Sequence, residues 1–364
     1  MAIAYTPAQW DALRARYAAW RENDDGAPLL GWETARDPGR PKPEAPLLCQ
    51  ACCMDFSWSA EQLADAISYH LEQKAYGGSA YPRFSMEAFG PGVLAAFCGA
   101  DIELSSTGNV WFKAPQKPID QITIRFDEDN RWFRRIYSIF EACARRFEGN
   151  AVLGMTDLGG AADVVATFVG SQDLLYALYD EPEEVKRLMG EAHEAWWQAY
   201  RLLNGCLHDA MPGYSDWFGV YYPGPGGYIL QSDFSYMISP AMFREFIQPE
   251  LAASAQKLAW PLYHWDGPGE LVHFDALMEI NPRLQAVQWV PGDGQPPQQA
   301  WPEVLEKLGL AGRKLLLYDG GPEETELVLR LPGIRPGQVY HSPYWIHPGQ
   351  VGEYDAWLDR WGAR

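Results

Sequence analysis

The chain has 364 residues, 47% of them hydrophobic, enough for two average domains or one large α/β barrel. It carries 29 basic and 48 acidic side chains, a formal charge of −19. That excess of negative charge argues against nucleic acid or an anionic membrane surface as partner, and disfavours a strongly anionic small substrate.

The first segment, residues 5–22, reads as an amphipathic helix with Trp10, Leu13, Tyr17 and Trp20 on one stripe. It has no apolar core of the kind a signal peptide needs, and no later apolar run approaches a membrane span. A cytoplasmic protein is expected. The six cysteines (Cys49, Cys52, Cys53, Cys98, Cys143 and Cys206) then read as free thiols, mostly buried, in a reducing compartment. A loop rich in Gly, Pro and charge covers residues 22–46. The apolar run Leu47–Met54 predicts a buried strand. Ser59, with Gln62 three residues on, signals a capping box and opens a helix to about Tyr76. Residues 77–111 are irregular and Gly-rich, and a helix is predicted over 128–148.

From residue 151 onward, apolar strand-like runs alternate with helical ones. Strands are predicted at 151–156, 219–222, 228–231, 258–264, 286–290, 314–317 and 338–341. Helices are predicted at 172–207, 240–258, 269–280, 301–310 and 322–330. Such alternation implies a parallel sheet. With Leu47–Met54 about eight strands are available, which predicts an α/β fold of the (β/α)8 TIM-barrel type over residues 46–364. Residues 1–45 form its N-terminal helical extension. A doubly wound open sheet is the rival, but neither a dinucleotide fingerprint nor a phosphate loop is present.

Polar residues cluster where these strands end: Asp157, Asp233, His264, Asp266, Gln288, Asp319 and His341. In a barrel those ends ring one mouth. The stretch Trp260–Gly269 is the focus. Its strand stops at His264 and Asp266, which alternation places on one side with Trp265 opposite, and Gly267, Pro268 and Gly269 then break the chain. Two histidines and a carboxylate (His264, Asp266 and His341) make a set suited to Zn²⁺ or Fe²⁺ with open positions, zinc first. Without metal, Asp266 or Asp233 can orient and charge His264 for acid–base work. Acidic residues after strands also cap helices, the simpler role for Asp319 and Asp157. Cys49-x-x-Cys52-Cys53 is half a zinc knuckle with no second half, so it reads as core. No Gly-x-Ser-x-Gly elbow is present. The chain has 16 tryptophans. Trp58, Trp217, Trp265, Trp289 and Trp345, with Gln288 and Tyr344, are the candidate substrate walls. Their rings would stack on a sugar or cage a methylated ammonium.

Two segments carry a resemblance. Asp173-Leu-Leu-Tyr-Ala-Leu-Tyr-Asp-Glu-Pro-Glu-Glu-Val185, preceded by Phe168-Val-Gly170, is similar to a recurrent segment of uroporphyrinogen decarboxylase-like proteins. Ser239-Pro-Ala-Met-Phe-Arg-Glu-Phe246 with Pro249, following Asp233, resembles a later one. The resemblance covers residues 150–364 better than the first 150. It implies a (β/α)8 barrel and a superfamily of porphyrinogen decarboxylases and of methyltransferases working with corrinoid proteins, thiols or folates. The methyltransferase branch carries His-x-Cys-Gly and a late cysteine as zinc ligands. Here His264-Trp-Asp-Gly267 and His341-Ser-Pro343 stand at those places, so both thiolates are replaced and the implied site is harder and richer in oxygen. The arginine-rich loop of the decarboxylase branch is missing near Leu47–Phe56.

The expectation is a methyltransferase-like enzyme acting on a small molecule, metal-assisted and coupled to a separate corrinoid protein, with a homodimer as the assembly to test. His264, Asp266 and Asp233 are its reacting groups. Two alternatives stay open: a decarboxylase or lyase of the same fold, and a barrel that binds a small ligand without turning it over.

Overall fold

The computed structural model describes residues 3–106, 108–207, 211–280 and 284–364. Its centre is a five-stranded parallel sheet whose strands lie side by side in chain order: Gly227–Leu230, Trp260–Asp266, Ala286–Val290, Lys314–Leu317 and Val339–His341. All neighbours run parallel, with Leu262 opposite both Ile229 and Ala286, and Leu316 opposite Tyr340. Parallel neighbours need crossovers. Helices Gln248–Lys257, Phe274–Glu279, Pro302–Leu310 and Pro322–Leu329 supply them. This second half follows the predicted strands closely.

An α/β architecture is therefore present, but the expected closed barrel is not. The first half contributes a two-residue parallel pair, Arg83–Phe84 with Val152–Leu153, a short parallel ladder of Gly31–Ala35 with Tyr344–Ile346, and single parallel bridges at Gly154–Ser215 and Leu29–Tyr340. Among the described residues these short ladders do not join into one ring. The run Leu47–Met54 is not a strand. Leu47 and Cys49 are exposed, and the segment is a loop closed by the short turn Gln50–Cys52. Leucine, cysteine, alanine and methionine make it apolar, but no β-branched side chain stiffens it into a strand. Tyr221–Tyr222 forms an antiparallel hairpin with Tyr214–Ser215 rather than a barrel strand. A second hairpin pairs Asp101–Leu104 with Val110–Lys113.

Both early helices begin at capping boxes, of which the one at Ser59 was expected. Thr6 and Gln9 open Pro7–Glu22, and Ser59 and Gln62 open Ala60–Glu72. The latter stops early because the chain turns into the strand Lys74–Gly78. The run predicted at 172–207 is two helices, Ser171–Asp180 and Pro182–Cys206. Pro182 lacks the N–H that a continuous helix needs and starts the second one instead.

The first residues are tied to the sheet. Gly31–Ala35 lies between Lys74–Gly78 and Tyr344–Ile346 in a small mixed sheet. Lys314, at the start of its strand, holds Asp24 at 2.7 Å and the Gly337 carbonyl at 2.8 Å. The opposite, C-terminal ends of the strands are left for the site. No helix among the described residues is long and apolar enough to cross a membrane.

Candidate functional site

Alternation along Trp260–Asp266 sends successive side chains to opposite faces. Parallel register sets His264 opposite Gln288 and Trp265 opposite Trp289. Trp265 and Trp289 point away from the mouth. They are 1% and 0% exposed, lie 5.3 Å apart and pack on Phe274 and Trp301 of the covering segments. They are core, not substrate walls.

The opposite face carries the polar groups. His264 Nδ1 lies 2.7 Å from Gln288 Oε1. An amide oxygen only accepts, so Nδ1 carries a proton, and in the neutral ring Nε2 holds the lone pair. That lone pair faces Asp233, whose Oδ1 is 3.9 Å away. Asp266 completes the group: one ligand atom each from Asp233, His264 and Asp266 lie within 4.8 Å of one another. Gly267 ends the strand at φ +82°, a left-handed conformation open to glycine, and a Cβ there would meet the Tyr236 ring at 2.8 Å. Its N–H donates to the Val290 carbonyl at 2.7 Å, which fixes the turn behind Asp266.

Asp233 follows the strand Gly227–Leu230 and is positioned by Asp163. The Asp163 carboxylate accepts the N–H groups of Asp233 (3.2 Å), Phe234 (2.8 Å) and Gly160 (3.1 Å). Asp163 sits in the first turn of the helix Ala161–Val169, where a carboxylate is favoured. Trp217 closes the other flank, its ring edge-on to His264 at 5.5 Å and its Nε1 donating to the Ile229 carbonyl. The Trp217 carbonyl accepts from Ser85 Oγ at 2.9 Å and from the Arg83 guanidinium.

The electrostatics are one-sided. Burial, then Asp266 and Asp157, push the Asp233 acid up to about 7. Solvent still reaches 45% of that side chain, which screens the effect in part. Burial lifts Asp157 to about 6, against the Gly159 N–H and His264. Glu270 is fully buried. Burial, followed by Asp233, drives its acid well above the usual carboxylate range, and Tyr263 is its hydrogen-bond donor at 3.2 Å. Among the described residues no Lys or Arg pairs with Asp157, Asp163, Asp233, Asp266 or Glu270. An uncompensated acidic group around a lone imidazole nitrogen is what a bound cation would neutralise.

His341 does not join this set. It is 2% exposed, stacked on Tyr344 at 4.3 Å, with Nδ1 at the Ser342 carbonyl (2.6 Å) and Nε2 at the Asp319 carbonyl (3.0 Å). Asp233, not His341, is the residue that lies beside His264 and Asp266. Tyr344 is buried too, bonded to Thr325 at 2.6 Å, and Trp345 lies outside near Lys74. Trp58 is half-buried before the helix Ala60–Glu72 and lines neither large cavity.

Two cavities open nearby. One of about 770 Å³ has Asp163 and Asp233 in its wall, facing Trp111 and Phe112 of the Val110–Lys113 strand, with Phe234 and Met237. The other, about 510 Å³, is lined by Arg83, Ser85, Glu87, Phe218 and Tyr340, with Cys49 and Gln50 at its edge. The hairpin residues and Asp163 were absent from the sequence-based site. Only the spacing Gly160-x-x-Asp163, a helix-capping pattern, hinted at the latter.

No protein-family model matches this chain, and no curated protein matches it in sequence. Among solved structures it is similar to a methyltransferase from Methanosarcina mazei, with a TM-score of 0.58 and 13% identity over 96% of this chain and 99% of that one. The two share a fold along essentially their whole lengths.

Proposed function

We propose that this protein is a methyltransferase-like enzyme acting on a small molecule, with a divalent cation, zinc first, held by Asp233, His264 and Asp266. The carrying observation is the convergence of these three donors with His264 Nε2 left free by Gln288. One nitrogen and two carboxylate oxygens fit a borderline cation with open positions. When bound, such a cation supplies Lewis acidity to an acceptor atom at the site. The likeness to the Methanosarcina methyltransferase, which extends over the whole chain at the level of the fold, supports the same reading. A separate corrinoid protein as the methyl-carrying partner, and a cytoplasmic setting, belong to this proposal.

The chain's own residues have separate parts in it. Gln288 sets the His264 tautomer, Asp163 fixes the backbone that presents Asp233, and Trp217 shields one side of the imidazole from water. The 770 Å³ cavity beside Asp233 is the substrate space. Asp233, its acid raised by burial, can also hold or release a proton there. That last property favours a second reading, a metal-independent lyase of the same fold.

Elemental analysis of the purified protein decides between them. Near-stoichiometric metal that is lost in His264→Ala supports the first. Metal-free protein with full activity overturns it in favour of the second.

A further inference from the structure

The six cysteines do not share one environment. Burial pushes Cys53 and Cys206 up to about 11 and Cys98 to about 12, and drives the fully buried Cys143 higher still. Cys49 is exposed and Cys52 half-buried. Their sulfurs are 3.6 Å apart. The Cys52 N–H donates to the Cys49 carbonyl at 3.1 Å, closing the turn Gln50–Cys52 and setting both thiols on one side. The Cys49 N–H donates to Cys52 Sγ at 3.3 Å. Gln50, between them, accepts the Val110 N–H at 2.9 Å and so anchors the turn to the neighbouring hairpin. Cys49 and Gln50 both border the 510 Å³ cavity.

This is not a metal knuckle. Cys53 Sγ turns back to the Gln50 carbonyl at 3.2 Å. Among the described residues, Asp233, His264 and Asp266 form the sole cluster of three such donors, and two thiolates are half of a zinc set. A disulfide needs a sulfur separation of about 2.05 Å, so the two sulfurs must close roughly 1.5 Å, within reach of side-chain rotation in one turn.

We propose that Cys49 and Cys52 form a reversible dithiol–disulfide couple at the edge of this cavity, with a low-molecular-weight disulfide as its oxidant. The Cys49 thiolate attacks one sulfur of the disulfide RSSR, giving a Cys49–S–SR mixed disulfide and releasing RS⁻. The Cys52 thiol then loses its proton and displaces the second RS⁻ from Cys49. Two cysteine thiols are oxidised by two electrons in all, and one RSSR is reduced to two RSH. Exposed Cys49 is the attacking sulfur and the more sheltered Cys52 resolves it, the order accessibility demands.

The inference does not depend on the proposed methyl transfer. The full-length reduced protein is equilibrated with mixtures of reduced and oxidised glutathione, then alkylated and mapped by peptide mass. The expected result is a Cys49–Cys52 disulfide, two hydrogens lighter, with loss of both thiols to alkylation and recovery by dithiothreitol. Cys52→Ser should trap glutathione on Cys49, and Cys49→Ser should take up none. Circular dichroism checks that both variants fold. A Cys49–glutathione adduct persisting in the wild-type protein, or thiols unchanged even in fully oxidised glutathione, overturns the proposal.

Discussion

A histidine offers two nitrogens, and one neighbouring amide settles which is used. Gln288 Oε1, 2.7 Å from Nδ1, leaves Nε2 as the nitrogen turned toward Asp233, 3.9 Å away. Gln288→Leu removes that restraint without adding charge, and should weaken metal affinity about 10–100-fold while the fold persists. Competition against a chromophoric chelator measures it, and unchanged affinity would remove Gln288 from this role. Asp163→Ala leaves three N–H groups without their acceptor, a loss of about 1–3 kcal/mol for each one that stays dry. Urea unfolding should register the cost, and the metal stoichiometry should fall with it. At this scale the sequence was partly readable. Period-two alternation and a Gly-Pro break were enough to put His264 and Asp266 together. The same strand-end pattern applied equally to His341, but Tyr344 and two carbonyl groups engage that ring. Whether a strand-end residue faces the mouth depends on local packing that spacing does not encode.

Elements explain why the tryptophans misled. A Trp at a strand end reads as a binding wall, yet Trp265 and Trp289 occupy the helix-facing side of the sheet and hold the covering helices in place. Trp265→Ala should therefore cost about 3–5 kcal/mol of stability. The expected signature is a lower urea midpoint, with metal stoichiometry retained under native conditions. A Trp265→Ala protein of unaltered midpoint would contradict the packing. The strands of the second half were legible because they are continuous apolar runs between helices, as a parallel sheet buried on both faces requires. Those of the first half were not. Two-residue pairs such as Arg83–Phe84 with Val152–Leu153 are too short to leave a periodic signal, and Leu47–Met54 shows that apolar character alone does not make a strand.

For the whole molecule, buried ionisable groups set how stability follows pH. His70 is pulled down to about 4 by burial and then by Lys74. The unfolded histidine takes a proton near 6.5, the folded one only near 4, so stability falls as pH drops through that window. Glu270 acts in the opposite direction. Its folded acid lies well above the unfolded one, so its contribution is fully present at low pH and is lost as pH rises through the folded value. Stability of the metal-free protein should peak on the mildly acidic side of neutrality. Glu270→Gln keeps the shape without the charge and should flatten the alkaline decline. Urea midpoints from pH 4 to pH 9 test both limbs, and a variant that loses stability in parallel with the parent above pH 7 would refute the assignment to Glu270.

The clamp that Asp163 places on residues 233 and 234 bears on sorting among ions. A carboxylate carried by a pinned backbone can travel only as far as its own side chain rotates, so the opening between Asp233, His264 and Asp266 is restrained on that side. Coordination number then becomes a filter alongside ligand softness. Calcium, which gathers six to eight oxygens at longer distances, would find too few donors there, whereas a four-coordinate ion would need only one more from solvent or substrate. In a cell where magnesium and calcium outnumber the transition metals, such restraint would add to the discrimination that a set of one nitrogen and two oxygens offers by ligand type.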